Sequence, residues 1–150
     1  MKPLAKKNQE KNQPLSEQLY ATGNYDAMYF AGIIADPMTM TETDFERWMD
    51  AAYFFYMLSD YVVAVTLAET DIAQVVAEKW IASGEELRMS AGWSCYCWLL
   101  GNRPDSEFSA SKIASMLEQV ENTIHDSPDR TKIRYEQFYL HSRNFIFAAP

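Results

Sequence analysis

Thr43-Asp44-Phe45-Glu46-Arg47-Trp48-Met49-Asp50-Ala51-Ala52 places Phe45, Trp48, Met49 and Ala52 at three- and four-residue spacing with charges between them, the signature of an amphipathic helix. Thr43 and Glu46 have the spacing of a capping box, in which a hydroxyl and an acid three residues on satisfy each other's exposed backbone donors. The helix is therefore expected to begin at Thr41 or Thr43. Working outward, the same period recurs across residues 19–100 with no strand pattern between the segments.

Upstream, Ser16 can cap a short helix over 16–22 that stops at Gly23. Asn24 caps a second, with Met28, Ala31, Ile34 and Ala35 on one face and Pro37 ending it. Downstream, a fourth helix over 54–68 turns Leu58, Tyr61, Val62, Val65 and Ala68 inward. Asp71 caps a fifth over 72–82, and Glu85 and Glu86 open a sixth that reaches Leu100 before Gly101. Two more are expected, over 109–125 and 129–147. Every connection is short, so neighbours must pack antiparallel, and helix pairs recur at roughly 30–40 residues. The expected fold is all-α, an α-α superhelix of HEAT-like (armadillo-like) repeats over residues 15–150, preceded by a disordered tail at 1–14.

At 150 residues and 48% hydrophobic, the chain can bury a real core, and its 9 Tyr, 8 Phe, 4 Trp and 8 Met make that core large and irregular. The net charge of −8 is unevenly spread. Lys2, Lys6, Lys7 and Lys11 outweigh Glu10 near the start, and Arg130, Lys132, Arg134 and Arg143 outweigh Asp129 and Glu136 near the end. The stretch 16–127 is left strongly acidic, which opposes generic nucleic-acid binding unless its few cations share one face. The first fifteen residues lack the apolar core of a signal peptide, and no apolar run approaches the ~20 residues of a membrane span. Cys95 and Cys97 project about 200° apart on a helix, so they read as buried reduced thiols. A cytoplasmic protein with no membrane contact is expected.

Chemistry-bearing motifs are scarce. His125 and His141 stand sixteen positions apart without metal-ligand spacing, and the five glycines form no phosphate loop. No metal and no cofactor is expected. Asp60 stands out instead, a carboxylate following the wall Tyr53-Phe54-Phe55-Tyr56-Met57-Leu58. On an α-helix it shares a face with Tyr56 and Met57. A carboxylate beside an aromatic ring can stabilise a developing cation, one requirement for breaking an N-glycosidic bond. It can equally be a buried acid hydrogen-bonded to a neighbouring helix end or an arginine. Trp93 reads as core or as an aromatic wall. Arg88 can neutralise Asp60 or touch a phosphate, and spacing does not choose.

The runs Tyr20-Ala21-Thr22-Gly23-Asn24-Tyr25-Asp26-Ala27 and Ile34-Ala35-Asp36-Pro37, followed by Met40-Thr41, combine with later segments into a recognisable order. Those segments are Trp48, Leu58-Ser59-Asp60, Trp80-Ile81-Ala82-Ser83 and Ala91-Gly92-Trp93. Together, over about residues 15–127, they resemble the DNA alkylation repair family of HEAT-like alkylpurine DNA glycosylases. The resemblance implies a superhelix whose hollow holds duplex DNA and a hydrolase that excises N3- or N7-alkylated purines without a cofactor. It implies Asp60 as the catalytic residue, with Tyr56 and Trp93 as aromatic substrate contacts and Arg88 as a phosphate contact. The competing expectation is a catalytically inactive HEAT-like scaffold for protein or nucleic acid, in which Asp60 is structural. A third is that the chain is a piece of a longer protein, whose open apolar end near Phe145, Ile146 and Phe147 allows a homodimer.

Overall fold

The structure, a computed structural model, describes residues 10–52 and 55–147, and among them there are helices and no strand. The helices are α1 (Gln13–Ala21), α2 (Tyr25–Ile34), α3 (Glu42–Ala51), α4 (Ala64–Ala68), α5 (Ala73–Ala82), α6 (Glu86–Asn102), α7 (Ala110–Thr123) and α8 (Asp129–Phe147). The all-α, HEAT-like repeat architecture expected from the periodicity is the one found. Most of the expected tail, and the expected first residue of the fourth helix, Phe54, lie outside the described residues.

Caps explain where the helices begin. α1 starts at Gln13, because the Asn12 side chain accepts the Leu15 N–H and Pro14 sits in the first turn, where no amide is needed. Ser16, expected as the cap, is buried instead and donates its hydroxyl to Ala31 O at 2.8 Å, tying α1 to α2. Asn24 caps α2 as expected, accepting from Ala27 N. The capping box of α3 is Thr41 with Asp44, two residues ahead of the Thr43–Glu46 pair. α5 has no side-chain cap, so Asp71 does not serve there. α6 runs through Gly101 to Asn102, beyond the expected stop at Leu100.

The core is aromatic and continuous. Phe45, Trp48, Met49 and Ala52 are all fully buried, and Tyr20 stacks on Trp48 with ring centroids 3.9 Å apart. α6 is the hub, packed against α4, α5 and α8. Its approach to α5 depends on Gly92, where an added Cβ would lie 2.7 Å from the Ala77 carbonyl oxygen. Gly32 performs the same service for α2, since a Cβ there would meet the Val62 side chain.

One segment departs from α geometry. Leu58–Val63 is a π-helical turn that runs directly into α4, and the Ala64 amide reaches back five residues to Ser59 O. The wider turn buries Leu58, Ser59, Asp60, Val62 and Val63 and leaves Tyr61 facing out at 43% exposure. The expectation of Tyr61 as a core residue fails because that expectation assumed 3.6 residues per turn.

Candidate functional site

The π-helical turn delivers Asp60 to the interior, with no exposed surface. A buried carboxylate must be paired and hydrogen-bonded, and three elements converge to do it. From α6, the Ser90 hydroxyl donates to Oδ2 at 2.9 Å, and the Ser94 hydroxyl donates to the Asp60 backbone carbonyl at 2.6 Å. From α8, Arg134 donates to Oδ2 through Nη2 at 2.9 Å and Nε at 3.3 Å, and Arg130 donates through Nε at 3.2 Å. Ser59, from the turn itself, donates to Oδ1 at 3.3 Å.

Arg130 and Arg134 are one helical turn apart on α8, and each lies over a tyrosine. The Arg130 guanidinium carbon is 3.9 Å from the Tyr56 ring centroid, and that of Arg134 is 4.9 Å from the Tyr61 centroid. Arg134 also donates Nη1 to Gln137 at 2.6 Å and to the Tyr61 hydroxyl at 3.3 Å. Its burial works against the charged form, but the Tyr61 hydrogen bond and the Asp60 charge outweigh that and hold its pKa above the ordinary arginine value. One carboxylate thus faces two guanidinium groups. The side chain of Arg134 is sealed at 4% exposure, whereas that of Arg130 reaches solvent at 29%.

The residues singled out in the sequence separate in space. Tyr56 is half-exposed and joined to Asp60 through Arg130 rather than by a shared α-helical face. Trp93 is fully buried, edge-on to Tyr135 and Phe138 at centroid distances of 5.1 and 4.9 Å, so its ring is part of the core and lines no cleft. Its indole N–H has no acceptor among the described residues. Arg88 does not reach Asp60. It bonds Glu46, Asp50 and Glu85 at 2.7–2.9 Å, because α3 and the start of α6 surround it with acids. Those hydrogen bonds and charges overcome its desolvation and keep it firmly cationic. Arg130 and Arg134 went unassigned in the sequence, although their i, i+4 spacing in the basic segment near the end was the available signal.

No group of three or more His, Cys, Asp or Glu able to hold a metal occurs among the described residues. Nor is any described helix long and apolar enough to cross a membrane. A shallow recess of about 500 Å³ between α1 and α3 is lined by Gln13, Glu17, Thr39, Asp44 and Arg47, and by none of the groups around Asp60.

Comparison with known proteins places this arrangement among relatives. Two curated bacterial proteins, "Uncharacterized protein Lin0241" of Listeria innocua and "Uncharacterized protein Lmo0209" of Listeria monocytogenes, are each 25% identical over 130 residues. Those alignments take in 87% of this chain and 55% of each relative, so the chain spans about half their length. A solved structure superposes with a TM-score of 0.86 at 69% identity, covering 95% of this chain and 60% of that one. That protein is described as one of "a new family of proteins related to the HEAT-like repeat DNA glycosylases with affinity for branched DNA structures". The sequence pattern of the family described as "DNA alkylation repair enzyme" matches residues 1–133, and the helical repeats agree with it; this chain belongs to the DNA alkylation repair enzyme family.

Proposed function

We propose that this chain is a HEAT-like scaffold that binds branched DNA, and that Asp60 bolts the scaffold together instead of attacking a glycosidic bond. The observation that carries the reading is the state of the carboxylate. Asp60 has no exposed surface, and its Oδ2 accepts from Ser90, Arg130 and Arg134 at once. A carboxylate that stabilises an oxocarbenium-like sugar must present charge to it, and here that charge is spent on two guanidinium groups. The affinity described for the 69%-identical relative supports branched DNA as the partner.

Among the described residues free cations are sparse, which fits a partner recognised by shape. Arg47, Lys79, Arg103, Lys112 and Lys132 each pair with a carboxylate of the same chain. The described residues then offer little counterion release for gripping an ordinary duplex. The same reading keeps the protein in the cytoplasm, with Cys95 and Cys97 buried as reduced thiols.

A second reading retains alkylpurine excision at Asp60, favoured by the family match and by the partial exposure of Arg130, whose departure would uncover the carboxylate. One experiment separates the two. The chain is incubated with methylated duplex DNA while its affinity for a three-way junction and for a linear duplex is measured. The expected result is tighter junction binding and no purine release above the spontaneous rate. Release that disappears in Asp60→Asn establishes excision and overturns the scaffold reading.

A further inference from the structure

Two arginine–tyrosine stacks meet where α8 packs on the π-helical turn. Arg130 lies over Tyr56 at 3.9 Å and Arg134 over Tyr61 at 4.9 Å. Both guanidinium groups donate to the same atom, Asp60 Oδ2, at 2.9–3.3 Å, which holds the two stacks to one point. Tyr56 and Tyr61 are 38% and 43% exposed, so this seam reaches the surface while Asp60 and Arg134 stay sealed beneath it. The seam has donors to spare. Arg130 gives Nε to Asp60, and its two terminal nitrogens have no hydrogen-bond partner among the described residues. The Tyr61 hydroxyl accepts from Arg134 Nη1, and no described acceptor takes its proton. Positive charge is left over as well. Two arginines answer one carboxylate, and the neighbouring Asp129 is paired with Lys132 at 3.6 Å. Arg88, by contrast, is ringed by three acids.

Resting on the branched-DNA reading above, we infer that the seam between the π-helical turn and α8 is a contact site for one DNA phosphodiester, held by the terminal nitrogens of Arg130. The paired N–H groups of a guanidinium match two oxygens of a phosphate. Tyr56 supports the flat face of the group, and Asp60 holds it by Nε, an atom the phosphate does not need. The ligand therefore meets a donor that is already oriented and has little rotamer freedom left to lose. Neither the Asp60 pairing nor the core has to open. A single positive spot on an acidic chain pins the backbone at one point and cannot follow the row of phosphates along a duplex. The rest of the affinity then comes from the shape of the branch.

The test titrates a fluorescent three-way junction and a linear duplex with the chain at ~50 mM salt and above. Arg130→Gln removes the fork and its charge, whereas Tyr56→Leu keeps the charge and removes the supporting ring. Lys112→Gln, which removes a cation paired with Glu78 of α5, is the control. Thermal unfolding is recorded for each, and where Arg130→Gln does not fold the Tyr56→Leu result decides. Arg130→Gln is expected to lose about tenfold in junction affinity and to reduce the salt slope by about one. Tyr56→Leu is expected to lose about threefold with its slope unchanged, and Lys112→Gln to match the wild type. Replacing branch phosphates one at a time by uncharged methylphosphonate is expected to reveal a position that weakens the wild type and not Arg130→Gln. Wild-type affinity and slope in Arg130→Gln or Tyr56→Leu, or an equal loss of slope in Lys112→Gln, overturns the inference and leaves the branched-DNA reading standing. A wild-type chain that binds junction no better than duplex overturns both.

Discussion

Asp60 carries a negative charge into a closed interior, and the groups around it determine what that charge does. Ser90, Arg130 and Arg134 share one of its oxygens, so the acid is neutralised before any ligand arrives. The sequence made Asp60 conspicuous, because a carboxylate beside an apolar wall demands a partner. It could not identify that partner: Arg130 and Arg134 stand 70 and 74 positions away, while the nearer candidate, Arg88, is drawn off by three acids. The cysteines were simpler, since burial alone decides them. Desolvation pushes the Cys97 thiol up to about 12, so it stays protonated at neutral and mildly alkaline pH. The folded chain at pH 8 is expected to resist iodoacetamide at both Cys95 and Cys97, and the urea-unfolded chain to react at both. Rapid labelling of the folded chain would show these thiols to be accessible.

Helices were legible because their signals are local, and the misplacements have local causes too. Two threonines each stand three residues before an acid at the start of α3, and the sequence alone does not rank them. Tertiary contacts do. Glu46, the acid paired with Thr43 in the sequence reading, accepts from Trp80 Nε1 at 2.5 Å and from Arg88, which leaves Thr41 and Asp44 to form the box. Thr41→Ala is expected to cost about 1 kcal/mol in urea unfolding, and Thr43→Ala, at an exposed position, close to nothing. Asp44 adds a pH signature. Partial burial raises its pKa, but the Thr41 amide and hydroxyl and the Arg47 guanidinium together bring it below its ordinary value of 3.8. Because the folded-state value is the lower one, the stabilisation is complete above the unfolded value and is lost as pH falls through the folded one. The Thr41→Ala deficit should therefore shrink in acid. A deficit that is constant from pH 7 to pH 2 would contradict this. The π-helical turn over Leu58–Val63 had no such local signal, and the outward position of Tyr61 follows from it.

At the scale of the molecule, repeating helix pairs bury a shared core, and α6 forms its centre with α4, α5 and α8 around it. That architecture could be read from spacing because each helix declares its own apolar face. The acidic balance could be counted but not interpreted, since pairing depends on the fold: most of the described cations are held by the chain's own carboxylates. Among these described pairings the Asp60 cluster is the one built on a fully buried carboxylate, and it joins the π-helical turn, α6 and α8. If it bolts the scaffold, its members must depend on one another energetically, and a double-mutant cycle measures that dependence. Urea unfolding of Asp60→Asn, Arg134→Met and the combined variant should show Asp60→Asn costing about 3 kcal/mol, because it leaves the buried Arg134 charge unpaired, and Arg134→Met costing less, because Arg130 still pairs with Asp60. The combined variant should cost at least about 1 kcal/mol less than the sum of the two. Strictly additive losses, or an Asp60→Asn chain as stable as the wild type, would show that the carboxylate bears no structural burden.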